Sequence, residues 1–105
     1  MERIAHVAQV IAPEALLETA VRVYDGGHHP LTAMFGRDET AQGTGYAIYC
    51  YFEIPEKKDM QVVKAVFKPE GSLSYQSITH AIPAAAWYER EIHDMFGLVP
   101  EGHPD

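Results

Sequence analysis

Apolar positions recur along this chain at two periods, and the periods sort it into strands and helices. Residues 3–11 (RIAHVAQVI) are apolar and β-permissive and predict a first strand. Pro13 then opens a helix at its first turn, with Glu14 near the positive end of the helix dipole. Leu16, Leu17, Ala20 and Tyr24 recur at helical spacing, and Asp25-Gly26-Gly27 stops the run. Residues 31–35 (LTAMF) read as a second strand, and 36–43 as a polar turn region. Residues 44–54 (TGYAIYCYFEI) form the strongest strand pattern. Tyr46, Ile48, Cys50, Phe52 and Ile54 fall on one face, and Ala47, Tyr49 and Tyr51 on the other. Both faces are apolar or aromatic, which predicts a central strand covered on each side. After a charged turn at 55–59, residues 60–68 (MQVVKAVFK) predict a further strand. Val63, Ala65 and Phe67 share a face with Gln61, while Lys64 and Lys68 lie on the other as edge protection or partner contacts. Residues 73–81 fit either a short helix, with Ser77 as a cap, or an extended segment.

Helical spacing returns after Pro83. Ala84, Ala85, Tyr88, Ile92, Met95 and Phe96 share one face of a 3.6-residue wheel. Arg90, His93 and Asp94 fall opposite, and Glu89 and Glu91 flank the stripe on either side. Gly97 ends the helix, and Pro100 and Pro104 keep it from resuming. Such a helix docks on a core and leaves a row of charge facing outward. Arg90 with Asp94, and Glu89 with a protonated His93, are spaced to pair along it. Exposed pairs of this kind contribute only about 0.3–0.5 kcal/mol, so local helix stability does not explain the charges.

The order β-α-β-β-β-α predicts an α+β fold in one domain spanning 1–105: a mostly antiparallel sheet with two helices packed against it. A chain of 105 residues, 47% hydrophobic and 22% charged, can bury one modest core. The formal net charge of −7 argues against non-specific nucleic-acid binding and against a polybasic membrane patch. The charge is uneven. After Lys68 the only basic residue is Arg90, set against Glu70, Glu89, Glu91, Asp94, Glu101 and Asp105, and a basic partner surface is the natural complement.

Candidate chemistry is sparse. The single cysteine, Cys50, reads as a buried thiol and cannot supply the four ligands of a typical iron–sulfur cluster. His28 and His29 adjoin a turn, but no Cys, Asp or Glu is paired with them at a metal-site spacing. His80 has no evident proton-transfer partner. Gly43-Thr44-Gly45 lacks the remaining glycines of a phosphate loop, and neither a GxSxG nor an HExxH motif occurs. Glu89 and Glu91 diverge by about 200° on a helix and cannot act on one substrate. No run approaches the roughly 20 apolar residues that span a bilayer, and the N-terminus lacks the pattern of a signal peptide.

Three blocks of the last quarter are more specific: Glu89-Arg90-Glu91, then Asp94-Met95-Phe96-Gly97, then Gly102-His103-Pro104-Asp105. Together they resemble the signature of the complex I (NADH dehydrogenase) 30-kilodalton subunit family. The equivalent subunit or N-terminal domain of energy-converting hydrogenases, such as the formate hydrogenlyase large subunit, carries the same signature. Pro83-Ala84-Ala85 and Trp87-Tyr88 fit the approach to it. Pro100 stands where complex I chains have an aromatic, which resembles the hydrogenase branch more. The family usually continues past His-Pro-Asp with two arginines and an extension, so the resemblance implies a truncated chain, part of a longer one, or else a short stand-alone subunit.

The resemblance implies a non-catalytic docking subunit or domain in the cytoplasmic arm of a membrane-associated respiratory oxidoreductase. It would lie peripheral to the inner face of the cell membrane and reach the membrane only through partners. It would brace the large subunit related to nickel–iron hydrogenases and to the complex I 49-kilodalton subunit. This chain is expected to hold no cofactor. Partner subunits would carry iron–sulfur clusters and, in the hydrogenase branch, nickel–iron. The implied interface residues are Glu89, Arg90, Glu91, Asp94, Phe96, Gly97, Gly102, His103 and Asp105, with Arg90 and its acidic neighbours making charge-assisted bonds either within the domain's C-terminal segment or to the partner, and His103 and Asp105 anchoring the tail. The alternative is a free-standing α+β ligand-binding or regulatory domain, with a closed pocket near Tyr46–Ile54 and a symmetric homodimer. Docking instead predicts an exposed acidic patch around the last helix and no deep polar pocket.

Overall fold

A computed structural model describes residues 8–104. Its main sheet has the order β1-β4-β3-β2, from β1 (Gln9–Ile11), β2 (Leu31–Asp38), β3 (Tyr46–Ile54) and β4 (Asp59–Val66). The β2–β3 and β3–β4 pairs are antiparallel, and β1 joins β4 in parallel, so the sheet is mostly antiparallel as predicted. The 3–7 part of the predicted first strand lies outside the described residues. Helix α1 (Leu16–Tyr24) follows a short 3-10 turn at Pro13–Ala15 and ends at Asp25, whose φ of 50° is left-handed. Helix α2 is Ala85–Phe96.

The period-2 pattern decides what is buried. Ile48, Cys50, Phe52, Val63 and Ala65 have no exposed surface, and they share one core with Leu16 and Ala20 of α1 and Ala85 and Ile92 of α2. Both helices therefore pack on the same side of the sheet. This corrects the expectation that β3 is covered on both sides, because neither helix lies on its Tyr49–Tyr51 face. There the strands' own side chains form the cover. Phe35 stacks on Tyr49 (centroids 5.2 Å apart) and on Tyr51 (5.8 Å), with Ala47 and Val62 buried on the same side.

Edge protection by Lys64 is also corrected, since β4 lies between β1 and β3. Its Nζ is 3.0 Å from Oε1 of Glu39, a nearly buried carboxylate that also accepts the Tyr49 hydroxyl (2.5 Å). That hydroxyl bond holds the Glu39 pKa below the usual range; burial opposes it, and Lys64 and Arg37 add to it. A lowered folded pKa means stability that is present above the unfolded value and lost as pH falls through the folded one. A Tyr49→Phe variant is expected to lose less stability than wild type as pH drops through the carboxylate range. Parallel urea-unfolding curves over a pH series would show that the hydroxyl does not hold Glu39.

Strand β2 runs three residues past its predicted end at Phe35, with Arg37 and Asp38 paired to Ala47 and Tyr46. A glycine ends the predicted strand, but here Gly36 makes room for a ring: a Cβ on it would come within 2.8 Å of Phe96. Residues 73–81 contain no helix, but Ser77 Oγ accepts the Thr79 N–H (3.1 Å) and so caps a single turn closed by Ile82 N–H to the Ile78 carbonyl (2.8 Å), as expected for Ser77. Ser74–Gln76 is a strand, β5, paired in parallel with β6 (Val99–Glu101) in a separate two-stranded sheet. The order is thus β-α-β-β-β-β-α-β. Pro100 is tolerated in β6 because Val99 and Glu101, on either side, face β5 through Val99 N–H to Leu73 O (2.8 Å) and Ser77 N–H to Glu101 O (2.9 Å).

Candidate functional site

Helix α2 is seated by side chains along one flank. Ala85 and Ile92 enter the core, Phe96 packs on Tyr46 (5.6 Å) and over Gly36, and the Tyr88 hydroxyl donates to the Thr32 carbonyl (3.3 Å). The helix ends at Gly97, whose φ of 74° suits a residue without Cβ and whose N–H reaches the His93 carbonyl (2.9 Å). Ala84 and Met95, placed on the apolar stripe by the wheel, are exposed, Met95 at 69%.

The largest correction concerns Glu89. The wheel places it beside the outward row of charge, but it has no exposed surface. Its carboxylate accepts three bonds from the segment after β5: Ser77 Oγ (2.5 Å) and Thr79 Oγ1 (2.7 Å) on Oε1, and the Ile78 N–H (3.0 Å) on Oε2. A buried carboxylate needs donors of this kind, and the run Ser77-Ile78-Thr79 supplies three within one turn. Nothing in the local spacing of α2 marks Glu89 for burial, because the run becomes its partner only once the chain has folded. Its negative charge also acts on its surroundings. Burial pushes the Cys50 thiol up to about 12, with the Glu89 charge adding to the effect. Burial likewise raises the pKa of Tyr75, and the nearby Glu89 carboxylate again adds. Cys50 is therefore an inert core thiol.

The Glu89–His93 pair along the helix is consequently absent, and His93 Nδ1 meets the Leu98 carbonyl instead (3.1 Å). Arg90, Glu91 and Asp94 are exposed. Arg90, His93 and Asp94 form one wall of an open groove of 480 Å³, and residues 99–103 form the other. Gly102, with a φ of 83°, turns the tail back along the helix. His103 then donates from Nε2 to the Ala86 carbonyl (3.1 Å), and His80 donates from Nε2 to the Gly102 carbonyl (2.9 Å). Asp105 lies outside the described residues. The structure thus brings Arg90, Asp94, Gly102 and His103 together, leaves Glu91 on the outer helix face, places Phe96 and Gly97 at the helix end, and takes Glu89 inside.

Among the described residues, no group of three or more His, Cys, Asp or Glu side chains is placed to hold a metal. His29 lies 2.9 Å from Glu56 through Nε2 and 2.8 Å from the Val23 carbonyl through Nδ1, so both ring nitrogens are engaged. The Glu56 bond, then the Val23 carbonyl, raise the His29 pKa. The closed pocket that a ligand-binding domain would place beside β3 is filled on the core side by Ile48, Cys50 and Phe52. No helix of the described residues is long and apolar enough to cross a membrane.

The family described as "Respiratory-chain NADH dehydrogenase, 30 Kd subunit" matches residues 9–105. Over 75 residues the sequence is 37% identical to hydrogenase-4 component G of Escherichia coli (strain K12), covering 71% of this chain and 14% of that one. Over 118 aligned residues it is 30% identical to a component of the NADH-quinone oxidoreductase of Thiobacillus denitrificans, covering 100% of this chain and 57% of that one. The chain therefore spans less than two thirds of either curated relative. Its fold is similar to that of the trypsin-resistant fragment (1-134) of Nqo5, with a TM-score of 0.76 at 27% identity, over 91% of this chain and 79% of that one.

Proposed function

We propose a docking role for this chain, which belongs to the family of the 30 Kd subunit of respiratory-chain NADH dehydrogenase. Its relatives are named as components of NADH-quinone oxidoreductase and of hydrogenase-4, which supports a place in a respiratory oxidoreductase complex. Within it the chain braces the large, hydrogenase-like subunit, peripheral to the membrane, while electrons pass through iron–sulfur or nickel–iron centres held by other chains. The match to hydrogenase-4 component G covers only 14% of that polypeptide, so there a domain like this one is covalently joined to a much larger body.

The observation that carries the proposal is the division of labour on α2. Glu89 ties the helix to the body of the domain, while Arg90, Glu91 and Asp94 stay at the surface beside the ordered tail. Exposed carboxylates and a forked guanidinium give directional, charge-assisted contacts to a partner. Arg90→Ala is expected to weaken binding to the large subunit by about tenfold or more while leaving the circular dichroism of the domain unchanged. Co-purification of the complex, with its activity assayed, is the measurement. Assembly at wild-type yield and activity would rule out the docking role for this face.

A further inference from the structure

The outward side of α2 carries an aromatic residue that the charge pattern leaves unexplained. Trp87 is 62% exposed and is the only tryptophan in the chain. Helical spacing puts Arg90 and Glu91 three and four residues further on, within one turn of the indole, and Asp94 two turns on along the same face. Met95, 69% exposed, continues the apolar surface one turn beyond Glu91. A lone exposed apolar side chain is ordinary on a protein surface. Here a large flat ring sits one turn from the exposed Glu91 carboxylate, with Asp94 further along, on the helix that also forms the tail groove.

We infer that Trp87 is the anchor of the docking face, and that it receives an arginine from a basic segment of the large subunit. This rests on the docking role proposed above. The planar guanidinium would lie on the indole while its N–H donors reach Glu91 or Asp94. Arginine fits better than lysine, because it is less strongly hydrated and can stack and fork at once. Charge complementarity selects this occupant over two others. Glu91, Asp94 and Glu101 are exposed, Arg90 is the only Lys or Arg after Lys68, and the chain as a whole carries −7. A second copy would bring the same acidic face against itself, and an anionic lipid surface would be repelled. Tryptophan and arginine are also the side chains most often found to dominate interface energetics.

The single tryptophan makes the test direct. The chain labelled with fluorotryptophan gives one fluorine resonance, followed while the purified large subunit of its own complex is added. Binding is expected to shift and broaden that resonance. Trp87→Ala is expected to raise Kd at least tenfold, and Trp87→Phe less. The double variant Glu91→Gln, Asp94→Asn should both weaken binding and flatten its salt dependence. Circular dichroism checks that each exposed substitution leaves the fold intact. Tight binding with an unmoved resonance and an unchanged Kd for Trp87→Ala would overturn the anchor while leaving docking through Arg90 standing. Wild-type binding by the charge-neutralised variant would overturn the basic occupant. Failure of the wild-type chain to bind the large subunit would remove the docking role and this inference with it.

Discussion

Glu89→Ala is expected to destabilise the domain by about 3–5 kcal/mol. The substitution removes the acceptor for Ser77 Oγ, Thr79 Oγ1 and the Ile78 N–H, all three on buried residues. The two hydroxyls can rotate toward other acceptors, but the backbone N–H cannot. The loss is a large share of the roughly 5–15 kcal/mol that holds a domain of this size together. Glu89→Gln should cost less, because the amide keeps one acceptor oxygen and a hydroxyl can accept from its NH2. Urea unfolding gives both values as shifts in midpoint. A Glu89→Ala midpoint within experimental error of wild type would mean that the 77–79 segment is held by something else. The direction distinguishes this site from its neighbour across the stripe, since a variant of the exposed Glu91 should leave the midpoint nearly where it was.

Gly45→Ala is expected to cost about 3 kcal/mol or more. A Cβ at this buried position would lie 2.2 Å from the Phe67 carbonyl oxygen and 3.1 Å from the Pro69 nitrogen. These are backbone atoms and cannot swing aside as a side chain would. The Phe67 N–H is bonded to the Tyr46 carbonyl (2.8 Å), so relieving the clash breaks the last rung joining β3 to the chain beyond β4. It also moves the Phe67 ring, which is buried edge-on against Tyr75 (6.0 Å). Thermal unfolding should fall clearly below wild type. An unchanged melting temperature would mean that the approach of the two strands at Gly45 is looser than described. By contrast, Gly36 faces the Phe96 ring, which can shift, so a substitution there should cost less.

The fold was largely legible because strands and helices here obey their periods. The alternation in Tyr46–Ile54 located the central strand, and the 3.6-residue spacing located both helices. Two kinds of information were not legible. The first is pairing between distant segments: nothing local marks Ser74–Gln76 and Val99–Glu101 as partners, and each is only three residues long. The second is the fate of a charge on the flank of a stripe. Glu89 and Glu91 flank the apolar stripe of the same wheel, yet one is buried and the other exposed. The difference lies in what each meets across the chain, and only Glu89 meets a cluster of hydroxyls and a backbone N–H. The aromatic face of β3 misled for a related reason. Its rings stack on one another across strands, so an apolar face did not require a covering helix.

The small parallel sheet has a dynamic consequence. β5 precedes α2 in the chain and β6 follows it, so their pairing closes a ring of chain that contains the helix, and Glu89 fastens that ring from within. Detaching either strand opens the ring. The amide protons of Ser77 and Val99 are therefore expected to exchange with solvent in step with those of the helix interior, as native-state hydrogen exchange would show.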